Sequence, residues 1–286
     1  RGGYDEALKC YFQSLNISKE LDNQKGIAGN YNNIGNVYRD KGDDDLAMDY
    51  FNRALKIFKI LDDKTCIANC LNNIGLIYFY HKCNYDLALN YFITTLDIRE
   101  KLADTHRKGI ALGNIGNVYC MIGEYDKSLN FADRALQIEE SLSDKNGMVD
   151  TLYNIGYIYF HKNNYENAIK YFNKCIDIRK EIGRENQQLW ITSYLFLSYK
   201  KLGKEYDEKK IHMYTKGTKN IDLYLRFGLF QLLEDTSYLE TAYNQTQEKA
   251  GNLEPDVAAK FLNYPIPAAI VEEWEKVTTN KNLDPL

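Results

Sequence analysis

The sequence of 286 residues predicts an all-α protein made of stacked antiparallel helix pairs. No proline occurs in the first 254 residues, so helices in this stretch need not be interrupted. A segment of the form Asn-Ile-Gly-X-(Val/Ile)-Tyr occurs four times, with glycines at Gly35, Gly75, Gly116 and Gly156 and hence at spacings of 40, 41 and 40. A repeat of about this length is typical of arrays in which each repeat is one helix pair.

The first helix of each pair, helix A, carries the repeated glycine one turn ahead of a tyrosine, as Gly35 precedes Tyr38. An Asp or Asn closes the preceding repeat, as in Asp63, Asp104 and Asp144. Such residues are favoured N-caps, because their side-chain oxygen accepts a bond from an unpaired backbone N–H. We therefore predict that each of them caps the following helix A.

The second helix, helix B, carries an alanine, an aromatic or small residue four positions later and a small residue three beyond that, as in Ala47, Phe51 and Ala54. This spacing places all three side chains on one helical face. The small residues predict close packing of helix B on helix A, and the aromatic side chain is expected to fill the gap between repeats.

These positions resemble the tetratricopeptide repeat (TPR), whose glycine is followed after twelve residues by alanine, as Gly35 is by Ala47. The resemblance covers about residues 1–216. The period of 40 or 41 residues is longer than the usual one of about 34 residues. This long form is similar to the repeats of Pins-type G-protein-signalling modulators, kinesin light chains and bacterial Rap-type regulators. The resemblance implies a right-handed α-solenoid, the TPR superhelix, whose concave groove is lined by helix A.

The repeat register also predicts the organisation of the chain. The predicted parts are a TPR array over residues 1–216, with a half repeat (1–24), repeats at about 25–64, 65–105, 106–145 and 146–185 and a degenerate repeat (186–216), followed by a C-terminal helical cap and tail (217–286). The half repeat lacks helix A and the chain lacks an initiator Met, so we expect a fragment of a longer protein. In the tail, Ser237–Glu240 predicts a capping box, Pro255 a helix start, and 263–267 an extended segment.

Composition and charge exclude several classes of protein. The net charge of −4 argues against a nucleic-acid binder, and no apolar run of about 18 residues predicts a membrane span. None of the six cysteines forms a CxxC pair, so we expect reduced thiols, a cytoplasmic protein and no cofactor. His81 and Cys83 could supply half of a metal site, but no second half with zinc-like spacing is visible.

The predicted functional site is the face of helix A that the TPR resemblance places in the groove. Asparagine amides can both donate to and accept from a peptide backbone, and aromatic side chains can anchor a partner. The predicted peptide-binding residues are Asn32, Asn33, Asn36, Arg39, Asn69, Asn72, Asn73, Asn114, Asn117, Tyr153, Asn154, Tyr157, His161 and Trp190.

Alternatives remain open for these residues. The asparagines could instead bond neighbouring helices, and aromatic residues such as Phe160 could belong to the core. A lone histidine near a helix end, such as His161, is usually solvated. The cations Arg39 and Lys200-Lys201 are scattered, so we expect no specificity for a chain-terminal carboxylate.

The sequence contains no GxSxG, P-loop, HExxH or dinucleotide fingerprint, so we predict no enzyme. The leading interpretation is a protein–protein interaction scaffold that binds a peptide or helical segment of a partner in the groove. The alternative is a regulatory or sensor arm of a larger enzyme, such as a cyclase, kinase, ATPase or caspase-like (CHAT) protease. In that case its own catalytic domain, absent from this fragment, would be a partner.

Overall fold

The computed structural model describes residues 3–184, 188–218 and 220–283. These residues form fifteen α-helices and no strand, which confirms the all-α fold class of helix pairs. The helices are α1 (Tyr4–Glu20), α2 (Gln24–Lys41), α3 (Asp44–Ile60), α4 (Lys64–Tyr80), α5 (Tyr85–Lys101), α6 (Thr105–Met121), α7 (Tyr125–Ser141), α8 (Lys145–His161), α9 (Tyr165–Glu181), α10 (Leu189–Lys201), α11 (Glu208–Gly217), α12 (Leu223–Leu233), α13 (Thr236–Gly251), α14 (Pro255–Leu262) and α15 (Pro265–Leu283).

The chain divides into two compact units, Arg1–Val118 and Tyr119–Leu286, so α6 spans the division. In the first unit α2 packs on α3 and α4 on α5; in the second, α8 packs on α9 and α12 on α13. The predicted boundary after residue 216 lies within the second unit and stays a prediction about where the repeats end. The predicted limits at residues 1, 185–186 and 286 lie outside the described residues.

The repeated glycine and the aromatic residue of helix B meet inside the pairs α2–α3, α4–α5 and α8–α9. A Cβ atom on Gly35 would lie 2.7 Å from Phe51 Cε1, and one on Gly156 would lie 2.7 Å from Phe172 Cε1. The ring lies directly on the glycine of its own pair, a contact that the expectation of a ring filling the gap between repeats did not include. Only a residue without a side chain lets a buried phenyl ring approach the helix backbone this closely.

The repeated tyrosine of helix A stacks on a second aromatic residue of helix B. Ring centroids lie 5.6 Å apart for Tyr38 and Tyr50 and 5.5 Å apart for Tyr159 and Tyr171. Such pairs add stabilisation beyond their buried area. The pairs α2–α3, α4–α5 and α8–α9 each combine two such contacts, one ring on a glycine and one stacked aromatic pair.

The predicted N-caps of helix A are confirmed. The Cys66 backbone N–H donates to Asp63 Oδ1 at 3.0 Å, and the Arg107 N–H donates to Asp104 Oδ1 at 3.2 Å. The Gly147 N–H donates to Asp144 Oδ1 at 3.1 Å. These bonds set where each helix A begins, and hence which of its residues share a face with the next repeat.

The C-terminal segment departs from two predictions. Asp235, not Ser237, caps α13, because the Ser237 N–H donates to Asp235 Oδ1 at 2.9 Å. Residues 265–267, predicted to be extended, form the first turn of α15. Proline is tolerated in a first helical turn, since the N–H groups there have no partner within the helix. The predicted helix start at Pro255 is confirmed.

Candidate functional site

Helices α2, α4 and α6 of the first unit bring polar side chains together around one cavity of about 240 Å³. Five of the predicted asparagines line it, and Thr95 and Arg99 of α5 and Arg107 and Ile110 of α6 complete the lining. We call this the amide cavity. Its asparagines are Asn32, Asn36, Asn69, Asn72 and Asn73.

Amide groups at the cavity also connect successive helices A. Asn73 Nδ2 donates to Asn32 Oδ1 at 3.2 Å, and Asn114 Nδ2 donates to Asn72 Oδ1 at 2.9 Å. The structural role left open for the asparagines is therefore present in these pairs. These bonds still leave the asparagines able to form hydrogen bonds with a ligand, because each amide offers two donors and an acceptor with two lone pairs.

Arg99 is a cavity residue that the sequence did not suggest. It is only 1% exposed, although arginine is almost never fully buried unless it is paired. Its Nη1 lies 3.1 Å from Asp104 Oδ2, and its Nη2 donates to Asn69 Oδ1. Burial lowers the pKa of Arg99, and the nearby Asp104 carboxylate partly offsets this effect.

The repeat register contains a signal for Arg99. The residues one repeat apart at this position of helix B are Phe58, Arg99, Glu139 and Arg179, at spacings of 41, 40 and 40. Phe58 is a core residue, and Glu139 is also buried. A charged residue in register with a core phenylalanine indicates a buried ion, and buried ions are concentrated at functional sites.

The remaining asparagines and Arg39 occupy other places. Arg39 pairs with Asp40 at 2.9 Å and lines a second cavity of about 470 Å³ with Tyr80 and His81. Asn33, Asn114 and Asn117 are half-buried on α2 and α6 and line neither of these two cavities. Asn154 is half-buried on α8 in the second unit.

The predicted aromatic residues come together in the second unit. The ring centroid of Tyr157 lies 4.4 Å from that of His161 and 4.8 Å from that of Tyr194. Tyr153 lies between Tyr157, at 6.1 Å, and Trp190, at 6.4 Å. We call these five residues the aromatic cluster. It was predicted as groove surface, yet Tyr157 is only 6% exposed.

Burial dominates the electrostatics of the aromatic cluster. It raises the pKa of both Tyr153 and Tyr157 well above the usual value and lowers the pKa of His161 to about 4. Among the described residues, none forms a hydrogen bond with His161 Nε2. His161 is half-buried and its Nε2 atom is covered, so the expectation of a solvated histidine does not hold for this nitrogen.

Helix α12 packs against the aromatic cluster. The Tyr194 hydroxyl donates to the Tyr224 carbonyl at 3.2 Å, and a Cβ atom on Gly228 would lie 3.3 Å from the Tyr194 ring. Lys200 Nζ donates to the Leu232 carbonyl at 2.8 Å near the end of α12. The chain's own C-terminal segment thus contacts this cluster, whereas a polar cavity remains at the predicted residues of the first unit.

No group of three or more potential metal ligands occurs among residues 3–184, 188–218 and 220–283. Within the same ranges, no helix combines the length and the apolar character needed to cross a bilayer.

Solved structures similar to this chain are helical-repeat proteins. BtubC (BKLC) from P. vanneervenii is 14% identical with a TM-score of 0.64, and the match covers 77% of this chain and 95% of that one. A Rap protein complexed with Competence and Sporulation Factor is 17% identical with a TM-score of 0.60, covering 97% and 71%. A signal transduction ATPase (STAND) protein with a tetratricopeptide repeat sensor, from Pyrococcus horikoshii, is 16% identical with a TM-score of 0.62, covering 99% and 41%.

At these identities the similarity concerns the fold alone, and no curated protein matches the sequence. The family comparison is more specific. A tetratricopeptide-repeat model matches residues 1–60 and 64–141, and a second model of this repeat matches residues 149–181. These matches span more than half of the chain and coincide with the glycine–phenylalanine helix pairs, and the chain belongs to the tetratricopeptide-repeat family.

Proposed function

We propose that this chain is a non-catalytic protein–protein interaction scaffold that binds a peptide or helical segment of a partner in the amide cavity. The observation that carries the proposal is the convergence of five asparagine side chains from α2 and α4 on one cavity. The matched models describe a repeat, and no catalytic family is among them.

The chemistry of the cavity suits a peptide backbone. A peptide offers an N–H donor and a C=O acceptor at every residue, and an asparagine amide can satisfy either one. The volume of about 240 Å³ is below the range of drug-sized pockets, so it suits a short stretch of a longer ligand. Affinity then comes from backbone contacts, and specificity comes from the remaining lining residues.

The similar structures support binding by this fold without defining the ligand. One of them is a Rap protein complexed with Competence and Sporulation Factor. Another carries a tetratricopeptide repeat sensor within a larger ATPase, which favours the second candidate function, a sensor arm of a multidomain enzyme. In that case the partner segment belongs to the same protein, and the amide cavity is still the binding site.

We further propose a reducing, cytoplasmic setting. None of the six cysteines, all of which lie within the described residues, forms a disulfide, and four of them are buried, as expected where thiols stay reduced. The net charge of −4 gives no support to a nucleic-acid or membrane partner.

The test selects ligands from short randomised peptides displayed on phage, with the whole chain as the target. Selected peptides are synthesised, and their affinities are measured by calorimetry against the wild type and two variants. Asn36→Leu changes a half-buried residue that lines the amide cavity. Asn52→Leu, on the exposed face of α3, is the matched control.

We expect Asn36→Leu to weaken peptide binding by about tenfold or more, since it removes polar partners and adds apolar bulk. Asn52→Leu should leave the affinity unchanged. Equal affinities for all three proteins would reject the amide cavity as the site. If adding the peptide changes the activity of a longer natural protein that contains this chain, the sensor-arm function gains support over the free scaffold.

A further inference from the structure

Helix α12 lies along the aromatic cluster from one end of the helix to the other. At its start, burial raises the pKa of Tyr153 and Tyr194, and the carboxylate of Asp222, the N-cap of α12, adds to this effect. In its middle, a Cβ atom on Gly228 would lie 3.3 Å from the Tyr194 ring, so the helix backbone itself meets this ring. At its end, Lys200 of α10 donates to two carbonyls of the last turn. The contact thus involves the whole helix.

One face of α12 is apolar and packs into the same core as the cluster. Leu225, Leu229 and Leu232 are at most 1% exposed, and they share this core with Tyr157 and Tyr194. Their spacing of four and three residues places them on one side of the helix. Amphipathic helices of partner proteins bind grooves through the same i, i+4 and i+7 positions. Helix α12 is thus arranged as a helical ligand would be, although it belongs to the same chain.

The fit between α12 and the cluster is incomplete in its polar groups. Among the described residues, none forms a hydrogen bond with the buried hydroxyls of Tyr153 and Ser193 or with His161 Nε2. Ser193 lies next to Tyr194 on α10 and is 1% exposed. The leucine face of α12 can neither donate nor accept, and a buried polar atom without a partner is unfavourable. These groups are therefore shielded from water without receiving partners in exchange, which makes the covered state less stable than its apolar contacts alone would make it.

The rest of the C-terminal segment keeps α12 close to the cluster. Helix α12 packs on α13, and α13 packs on α15. The first residue of α15, Pro265, contacts the turn between α6 and α7, since a Cβ atom on Gly123 would lie 2.8 Å from Pro265 Cγ. A helix tethered in this way competes with any partner as an intramolecular ligand at a high effective concentration. A partner helix must therefore bind the cluster better than α12 does.

We infer that the aromatic cluster is a second interaction surface, which α12 occupies as an internal ligand and from which an amphipathic helix of a partner displaces it. The partner helix carries apolar side chains at the spacing of the α12 leucines. In contrast to α12, it also carries amide or hydroxyl side chains that pair with Tyr153, Ser193 and His161. The surface lies in the second unit, so this inference does not depend on a peptide in the amide cavity.

The experiment uses the whole chain and a fluorescent synthetic peptide with the sequence of residues 222–234, which contains α12. Fluorescence anisotropy compares its binding to the wild type and to Gly228→Leu, whose side chain would overlap the Tyr194 ring and release the internal α12. We expect this variant to bind the peptide about tenfold more tightly or better, because the internal competitor is removed. Gly251→Leu is the matched control, since a Cβ atom on Gly251 of α13 would meet nothing within 4 Å.

A milder variant controls for a folding defect in Gly228→Leu. Lys200→Met removes the bonds to the end of α12 without adding bulk to the cluster. It should bind the peptide about fivefold more tightly than the wild type or better, whereas Lys201→Met should bind it as the wild type does. Hydrogen exchange of the same proteins should show that α12 opens more readily than α8 and α9 of the same unit.

Two further measurements test the role of the unpaired polar groups. The double variant Tyr153→Phe/Ser193→Ala removes two of them, so hydrogen exchange in α12 should slow by about fivefold while exchange in α9 stays unchanged. A panel of peptides, each with one residue of 223–233 replaced by Gln, should contain at least one that binds the wild type more tightly than the parent peptide. This gain should disappear in the double variant.

Three results would overturn the inference. If Gly228→Leu and Lys200→Met bind the peptide no better than the wild type, the cluster is not an interaction surface. If α12 exchanges as slowly as α8 and α9 in both the wild type and Lys200→Met, it is a fixed part of the core and not a displaceable ligand. If no Gln-containing peptide binds better than the parent, the unpaired groups do not select a partner with polar side chains.

Discussion

A Cβ atom on Gly75 would lie 2.7 Å from Cε1 of Phe92, closer than real side chains pack. Gly75 is in the middle of α4, and Phe92 is a fully buried residue of α5, so this contact sets the distance between the two helices of the pair. The same relation joins Gly35 to Phe51. It explains why glycine occurs here inside a helix, where its flexibility is unfavourable.

We predict that Gly75→Ala destabilises the protein by about 1–3 kcal/mol, because the buried ring cannot move away without disturbing the core. The measurement is chemical denaturation followed by circular dichroism. Gly113→Ala is the control, because Gly113 is also inside a helix but a Cβ atom there would meet nothing within 4 Å. The free energy of unfolding of this variant should increase by up to about 1 kcal/mol, because alanine has a higher helix propensity than glycine. Destabilisation of equal size by both variants would contradict the packing explanation.

The second prediction concerns pH. Glu139 is 9% exposed and accepts a bond from the Thr151 hydroxyl at 2.9 Å, and burial raises its pKa to about 7. The folded protein therefore holds this proton more tightly than the unfolded chain. The resulting stability is fully present below the unfolded value of about 4.5 and is lost as the pH rises through about 7.

Glu139→Gln should remove this dependence, because the amide keeps the shape of the side chain without ionising. The wild type should lose stability from pH 5 to pH 8 and the variant should not. The difference in their free energies of unfolding should therefore shift in favour of the variant by on the order of 3 kcal/mol at most. Thermal unfolding at both pH values measures the difference. The exposed neighbour Glu140, changed to Gln, should show no such trend. A wild-type-like pH profile for Glu139→Gln would refute the assignment.

The third prediction concerns the end of α12. Lys200 Nζ donates to the carbonyls of Gln231 and Leu232 at 3.0 and 2.8 Å and pairs with Glu234 at 2.7 Å. These carbonyls lie in the last turn, where a cation is favoured. We expect Lys200→Met to destabilise the protein by about 1–3 kcal/mol and to increase hydrogen exchange in α12. The exposed neighbour Lys201, changed to Met, should have little effect, and similar losses for both would argue against this cap.

The fourth prediction compares two tyrosines of the aromatic cluster. Among the described residues, none forms a hydrogen bond with the buried hydroxyl of Tyr153, whereas the Tyr194 hydroxyl donates to the Tyr224 carbonyl at 3.2 Å. Tyr153→Phe should therefore leave the protein at least as stable as the wild type. Tyr194→Phe should cost about 1 kcal/mol, since it removes this hydrogen bond. Urea denaturation measures both, and the reverse order would contradict the hydrogen bonding described here.

Much of the fold could be predicted because it repeats. The caps Asp63, Asp104 and Asp144 and the close packing of helix B on helix A follow from local patterns, and each copy supports the same interpretation. The candidate site was predictable only in part. Five asparagines do line one cavity, but Arg99 was missed because its position on helix B is normally apolar, as Phe58 shows.

The sequence by itself determined the helix pairs, their caps and the family, because hydrogen-bonding and packing preferences act over a few residues and recur with the period of the repeat. Only the tertiary structure decided which residues are buried together. Tyr157 became buried because other elements of the second unit pack around it, and Arg99 became buried beside Asn69 because α5 packs on α4. Such contacts join segments that differ from the repeat pattern, so no local preference encodes them.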